Sequence, residues 1–119
     1  MTDHGAAAEE LAAQYLQSHG AIVLARNLRC KSGELDLVVL DGEVLAVVEV
    51  RQRVAASFGG ALASVTRRKQ LKIIRATGFH LRSRSEWRSR VIRFDVFAVE
   101  GLPEQPQRLI WLKDAFRAT

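Results

Sequence analysis

Three acidic side chains, Glu34, Asp36 and Glu49, fall where two neighbouring strands would bring them together. Between them, Asp41-Gly42 separates two apolar runs and predicts a tight hairpin. A two-residue loop there puts Glu49 opposite Glu34 and diagonal to Asp36 on the same face, whereas a four-residue loop puts Glu49 directly opposite Asp36. A three-residue loop would place Asp36 and Glu49 on opposite faces of the sheet unless a bulge intervenes. With either even loop, the carboxylates share one face of the sheet.

Carboxylates this close cost stability unless they share a proton or a cation. The three histidines show no ligand spacing, so the available ligands are hard oxygens, which favour Mg²⁺ or Mn²⁺. Both predicted strands are apolar on both faces, where a charge is expensive to bury and usually serves a function. The alternative is a solvated sheet face on which the acids pair with Arg51 and Arg53.

The elements that must position these acids follow from apolar spacing. The chain reads as one domain, residues 1–119, of α/β class, with a mixed central sheet flanked by helices in the order αβββαβ. A short tail follows this core. The predicted elements are a helix over 5–19, strands over 21–28, 34–40 and 44–52, a loop over 54–60, a helix from Leu62 or Val65 to Leu81, strands over 91–99 and 109–112, and a helical turn over 114–117.

Composition excludes several classes of protein. The chain has 119 residues, 48% hydrophobic and 26% charged, which fits an ordinary globular domain and not a disordered one. The longest apolar run, over 44–48, is far short of the roughly 20 residues of a membrane span, so we expect no membrane association. Residues 1–19 contain no Lys or Arg, unlike a secretory signal, and the single Cys30 suits a reducing compartment. We therefore expect a cytoplasmic protein.

Basic residues are concentrated in one segment. Residues 67–93 contain ten Lys and Arg against the single acid Glu86, which favours a polyanion such as nucleic acid. Trp87 is the aromatic residue considered for nucleic-acid contact, and the alternative for the whole segment is a solvated helix and loop. The expected nucleic-acid-binding residues are Arg68, Lys72, Arg75 and Arg82 along one helix face and Arg84, Arg88 and Arg90 beyond it.

The spacing of Asp36 and Glu49-Val50-Arg51 resembles the PD-(D/E)XK nuclease motif, in which two acids and a lysine sit on adjacent strands of a restriction-endonuclease-like αβββαβ core. Nearly the whole chain resembles the YraN family of bacterial proteins, which is similar to archaeal Holliday-junction resolvases. The segments that carry this resemblance are Gly5-x-x-x-Glu9-x-x-Ala12, Arg26-Asn27, Gly33-Glu34-Leu35-Asp36-Leu37, Val48-Glu49-Val50-Arg51-Gln52-Arg53, Phe58-Gly59, Ser64-Val65-Thr66-Arg67-Arg68-Lys69-Gln70, Arg93-Phe94-Asp95-Val96 and Trp111-Leu112-Lys113-Asp114-Ala115-Phe116.

The resemblance implies a metal-dependent DNA endonuclease, structure-selective on branched DNA, and a branched substrate implies a homodimer. It implies that Glu9, Asp36 and Glu49 bind Mg²⁺ or Mn²⁺, with the Val50 carbonyl as a further ligand. Arg51 stands where the motif has lysine, and an arginine stays charged and can only orient or stabilise an anion. Lys69, early in the long helix, is our candidate for the missing ammonium.

Two other classes of function are consistent with the sequence. The first is a nucleic-acid-binding module that keeps the nuclease fold without turnover, for which Arg51 is the supporting residue. The second is an interaction protein with no nucleic-acid partner, in which the basic helix is only soluble surface. Cleavage assays distinguish the first from an enzyme, and the salt dependence of DNA binding tests the second.

Overall fold

The computed structural model describes residues 4–54, 60–102 and 104–119. Within these ranges the chain forms five strands and four helices. In chain order they are α1 (His4–Ser18), β1 (Ile22–Cys30), β2 (Gly33–Asp41), β3 (Val44–Arg53), α2 (Gly60–Ala63), α3 (Arg67–Leu81), α4 (Ser85–Arg88), β4 (Val91–Glu100) and β5 (Arg108–Phe116).

The five strands form one mixed sheet in the order β1-β2-β3-β4-β5. Neighbouring strands are antiparallel except β3 and β4, which are parallel. A parallel pair needs a crossover connection, and the segment carrying α2, α3 and α4 supplies it. The predicted α/β class and the mixed sheet flanked by helices are therefore confirmed. No helix in the described ranges combines the length and the apolar character needed to cross a bilayer.

Helices cover both faces of the sheet. On one face, Ala12 and Leu16 of α1 pack with Leu37, Val48 and Phe97. On the other face, the buried residues of α3 pack with those of β2, β3 and β4, and this cluster includes Ile73, Ala76, Val38, Val47 and Phe94. The central strands are covered on both sides, as their apolar composition predicts. A charged side chain in the middle of β3 is consequently taken out of water.

The hairpin between β2 and β3 differs from the loop expected at Asp41-Gly42. Asp41 is still paired, with Val44, so the two-residue loop is Gly42-Glu43, with Gly42 at a φ of 64°. Asp41 is held in the strand by Arg93 at 2.9 Å and Lys113 at 3.0 Å, contacts that lie far away in sequence. The register is the one expected for a four-residue loop, and continued by one residue it aligns Asp36 with Glu49.

Two predicted elements also differ from the sequence prediction. The helical turn over 114–117 is wrong, because β5 runs on to Phe116 and Asp114 lies in it with a φ of 53°. The Asp114 amide donates to the buried Asp95 carboxylate at 2.9 Å, which stabilises this bulged strand end. The long helix begins at Arg67 because the Thr66 side chain accepts from the Lys69 amide and caps it. Of the loop predicted over 54–60, residues 55–59 lie outside the described ranges, as does the Phe58-Gly59 motif.

Candidate functional site

Asp36 lies where the paired part of the β2–β3 hairpin ends. The pairs run from Asp41 and Val44 to Leu37 and Val48. Beyond them, Asp36 Oδ2 accepts a hydrogen bond from the Val50 amide at 2.9 Å, so a side chain satisfies a strand N–H group. This contact fixes the Asp36 carboxylate beside Glu49. The Val50 carbonyl is the group expected as a metal ligand. The contact that the structure shows between Val50 and the site is made by its amide.

Glu49 is an acid buried in the middle of the sheet. Its side chain is only 4% exposed. Burial, followed by the charge of Asp36, raises the pKa of Glu49 to about 8, and burial also raises the pKa of Asp36. The two carboxyl groups lie within hydrogen-bonding reach of each other. At neutral pH the pair therefore holds a proton unless a cation takes its place.

Two further acids reach Asp36. Glu9 on α1, Glu34 and Asp36 each offer one carboxylate oxygen, and these three oxygens lie within 4.8 Å of one another. Burial and the charge of Asp36 raise the pKa of Glu9. Glu10 faces away from this group and binds Arg26 at 2.7 Å, so the structure separates the two neighbouring glutamates of α1. Glu49 is not part of the triple and joins the site through Asp36.

The set of ligands is chemically suited to a hard divalent cation. Glu9, Asp36 and Glu49 supply carboxylates alone, and Glu34 adds a fourth. Oxygen ligands of this kind suit Mg²⁺ and Mn²⁺, and Mg²⁺ commonly takes only one or two protein carboxylates. The raised pKa values of Asp36 and Glu49 also favour a bound cation, because a cation relieves the repulsion that otherwise keeps a proton on the pair.

Two cations approach Glu49 from different elements. Lys69 Nζ on α3 lies 3.8 Å from Glu49 Oε2, and Arg51 Nη1 on β3 lies 3.7 Å from the same oxygen. The Lys69 side chain is 43% exposed and that of Arg51 is 37% exposed, so both also face solvent. The arrangement therefore places two half-exposed cations beside one buried carboxylate. Lys69 reaches it because it lies four and seven residues before the buried Ile73 and Ala76, on the sheet-facing side of α3.

The seven cations expected to bind nucleic acid divide into two groups. Arg68, Lys72, Arg75 and Arg82 are exposed. Spacings of four, three and seven residues put them on one face, which we call the α3 stripe. Lys72 lies beside the β1–β2 turn, since its Cβ is 4.0 Å from the position that a Cβ on Gly33 would take. The stripe therefore passes close to Gly33, the residue that precedes Glu34.

The other three cations contact other residues of the protein. Arg88 donates to the carbonyls of Leu81 and Arg82, each at 2.8 Å, and so caps the end of α3. Arg90 lies 3.9 Å from the Glu43 carboxylate, and the Arg84 guanidinium lies 4.7 Å from the centre of the Trp87 ring. Trp87, the aromatic residue considered for nucleic-acid contact, is only 8% exposed, so its ring presents little surface to a base. Its apolar ring is part of the core that α3 covers.

Asn27 was not predicted as a site residue, although it belongs to the Arg26-Asn27 segment of the family resemblance. It sits in β1 between the pairs Arg26–Leu37 and Leu28–Leu35, in line with Asp36, and has a φ of 53°. Its hydrogen-bonding interaction with Glu9 lowers the pKa of that carboxyl, against the effect of burial. The signal in the sequence was an Asn inside a strand, since Asn tolerates left-handed backbone conformations. Glu34 was paired with Glu49 in the expected hairpin, but the structure groups it with Glu9 and Asp36.

Comparison with known proteins assigns the family. Residues 8–99 match the model of the uncharacterised protein family UPF0102. The chain belongs to the UPF0102 family. A UPF0102 protein of Pseudomonas putida is 48% identical over 115 residues, covering 97% of this chain and 94% of that protein. UPF0102 proteins of Pseudomonas entomophila (48% over 112 residues, 94% and 91% of the two chains) and Stutzerimonas stutzeri (46% over 114 residues, 96% and 94%) are similarly close. UPF0102 is the YraN family, so that expectation is confirmed.

Proposed function

We propose that this UPF0102 protein is a Mg²⁺- or Mn²⁺-dependent DNA endonuclease, selective for branched DNA, on a restriction-endonuclease-like PD-(D/E)XK core. The observation that carries the proposal is the buried Glu49 beside Asp36, with two cations on one of its oxygens. The element order α1-β1-β2-β3-α3-β4 agrees with αβββαβ, and β5 extends the sheet beyond β4. We further propose a cytoplasmic homodimer, because a branched substrate presents two strands to cut.

In this mechanism, Glu9, Asp36 and Glu49 would hold the divalent cation, with the Val50 carbonyl as a further ligand. When bound there, the cation would supply an activated water and stabilise negative charge on the scissile phosphate. Asp36 is held for this role by the Val50 amide. Arg51 remains charged and stabilises the anion, while Lys69 positions the nucleophile from α3.

The positive charges in the first turn of α3 favour the binding of an anionic substrate. Arg67, Arg68 and Lys69 occupy the first turn, which contains no acid. Cations there oppose the helix dipole and each costs about 0.3–1 kcal/mol, so this composition is unfavourable for the helix itself. Arg67 is engaged with the Arg117 carbonyl at 2.9 Å, whereas Arg68 faces solvent and Lys69 faces the carboxylates. A helix N-terminus with added positive charge attracts phosphate.

The test is cleavage of a four-way junction, a flap and a linear duplex with Mg²⁺ or Mn²⁺. We expect Asp36→Asn and Glu49→Gln to abolish cleavage, and Lys69→Ala to reduce it by about 100- to 1,000-fold with DNA binding retained. Glu43→Gln is the matched control, because that carboxylate is fully exposed at the hairpin. Wild-type cleavage by both Asp36→Asn and Glu49→Gln would show that the site is wrong.

Arg51 favours a second candidate, a nucleic-acid-binding module on the same fold without turnover. An arginine in the lysine position cannot act as a base, and it lies 3.7 Å from Glu49. This candidate predicts that the wild type binds all three substrates and cuts none with either metal. The Arg51→Lys variant then refines the result, because cleavage gained by that variant would assign the loss of turnover to this position.

A further inference from the structure

Phe79 is an aromatic residue that α3 leaves in solvent. Its side chain is 51% exposed, although the same helix buries Ile73 and Ala76 against the sheet. It lies four residues after Arg75 and three before Arg82, so its ring is on the same helix face as the α3 stripe. The Arg82 guanidinium is 6.0 Å from the ring centre. The stripe is therefore a row of cations with one exposed ring inside it.

The composition of this face identifies the class of partner. Proteins that bind unpaired nucleic acid combine cations that follow the backbone with aromatic rings on which bases stack. In a duplex the faces of the bases are already stacked on one another, so the ring finds no base face on which to stack. A polar protein partner would likewise be bound by the cations without the ring.

We propose that the α3 stripe with Phe79 binds an unpaired strand of nucleic acid, with a base stacked on the Phe79 ring. The inference rests on the proposed function and specifies its substrate, DNA in which an unpaired segment adjoins the cleavage position. From Arg68 to Arg82 the stripe spans about 21 Å, and Phe79 lies about 15 Å along the helix from Lys69. A strand bound along the stripe thus approaches the carboxylates where Lys72 meets the β1–β2 turn.

The first experiment measures affinity with EDTA present, so that turnover plays no part. Fluorescence anisotropy compares an oligothymidine with a blunt duplex of the same length. We expect Phe79→Ala to weaken oligothymidine binding by about 5- to 150-fold, the range for losing one stacked base, and to leave duplex binding unchanged. Phe79→Tyr keeps a ring and should keep wild-type affinity. Val91→Ala is the matched control, because Val91 is 71% exposed and lies on β4, outside the stripe.

The second experiment observes stacking directly. In Phe79→Trp the indole emission should be quenched by oligothymidine and not by duplex, against the background of the native Trp87 and Trp111. An equal loss on both ligands, or no loss on either, for Phe79→Ala overturns the stacking inference while leaving the proposed function standing. If the wild type binds neither oligothymidine nor duplex, the nucleic-acid part of the proposed function fails, and this inference fails with it.

Discussion

Replacing Glu49 by Gln tests how the ionisable carboxyl at the centre of the site affects the stability of the fold and its response to a divalent cation. Gln has nearly the same shape and cannot ionise. Because the pKa of Glu49 is raised from 4.5 to about 8, the folded protein holds a proton that the unfolded chain releases. The contribution of Glu49 to stability is therefore fully present below pH 4.5 and is lost as the pH rises through about 8.

The magnitude follows from the same values. At 1.36 kcal/mol per pKa unit, the interval between 4.5 and about 8 corresponds to a loss of about 5 kcal/mol when the pH is raised across it. Near pH 7 the loss is about 3 kcal/mol, a large fraction of the stability of a small domain. In Glu49→Gln this pH dependence disappears, so the variant should be about as stable as the wild type at pH 5 and several kcal/mol more stable at pH 8.

The assay is urea denaturation of both proteins between pH 5 and pH 8.5, first with EDTA and then with Mn²⁺. Without the cation, the difference in free energy of unfolding should grow steadily with pH. With Mn²⁺, the wild type should regain stability at pH 8, because the cation replaces the proton, and the variant should gain much less. Parallel stability curves for the two proteins, together with an equal response to Mn²⁺, would refute the reasoning. Glu43→Gln again serves as the exposed control.

The remaining predictions separate structural from functional charges. Asp95→Asn should destabilise the fold by about 3–5 kcal/mol in urea denaturation, because it leaves the buried partner of Arg93 uncharged, and it should not change Mn²⁺ affinity. Lys72→Ala should reduce the slope of log K against log salt for duplex binding by about 0.9, whereas Arg88→Ala should lower the melting temperature and leave the slope unchanged. Arg68→Glu should stabilise α3 by about 0.6–2 kcal/mol, because it removes an unfavourable cation and adds a favourable acid, and it should weaken DNA binding; a loss of stability would contradict the dipole argument.

The sequence was sufficient for α1, α3 and strands β1 to β4, and for placing Asp36 beside Glu49, because these follow from local spacing. It was insufficient for the hairpin loop, since Asp41 stays in β2 through contacts with Arg93 and Lys113, more than 50 residues away. The prediction for the end of β5 was wrong for the same reason. Asp114 looks like the start of a helical turn, but the buried Asp95 accepts its amide and holds it in the strand.

Charge density predicted the basic segment but not the role of each cation. Arg84 and Arg88 carry the same formal charge as Lys72, yet their guanidinium groups donate to the carbonyls of His80, Leu81 and Arg82 near the end of α3. Whether a cation faces solvent or a helix end depends on how α4 turns back on α3. No periodicity in the sequence encodes that turn.

The rotation of α3 about its own axis links the two parts of the proposed site. Lys69, Ile73, Ala76 and His80 follow one another at spacings of four, three and four, and the last three are buried. One residue earlier, the exposed row begins at Arg68 and continues through Lys72, Arg75 and Phe79. Packing of the apolar residues therefore directs Lys69 towards Glu49 and presents the stripe to solvent in the same step. A lysine that continues an otherwise buried row is the signal by which the sequence distinguishes Lys69 from the other cations of the helix.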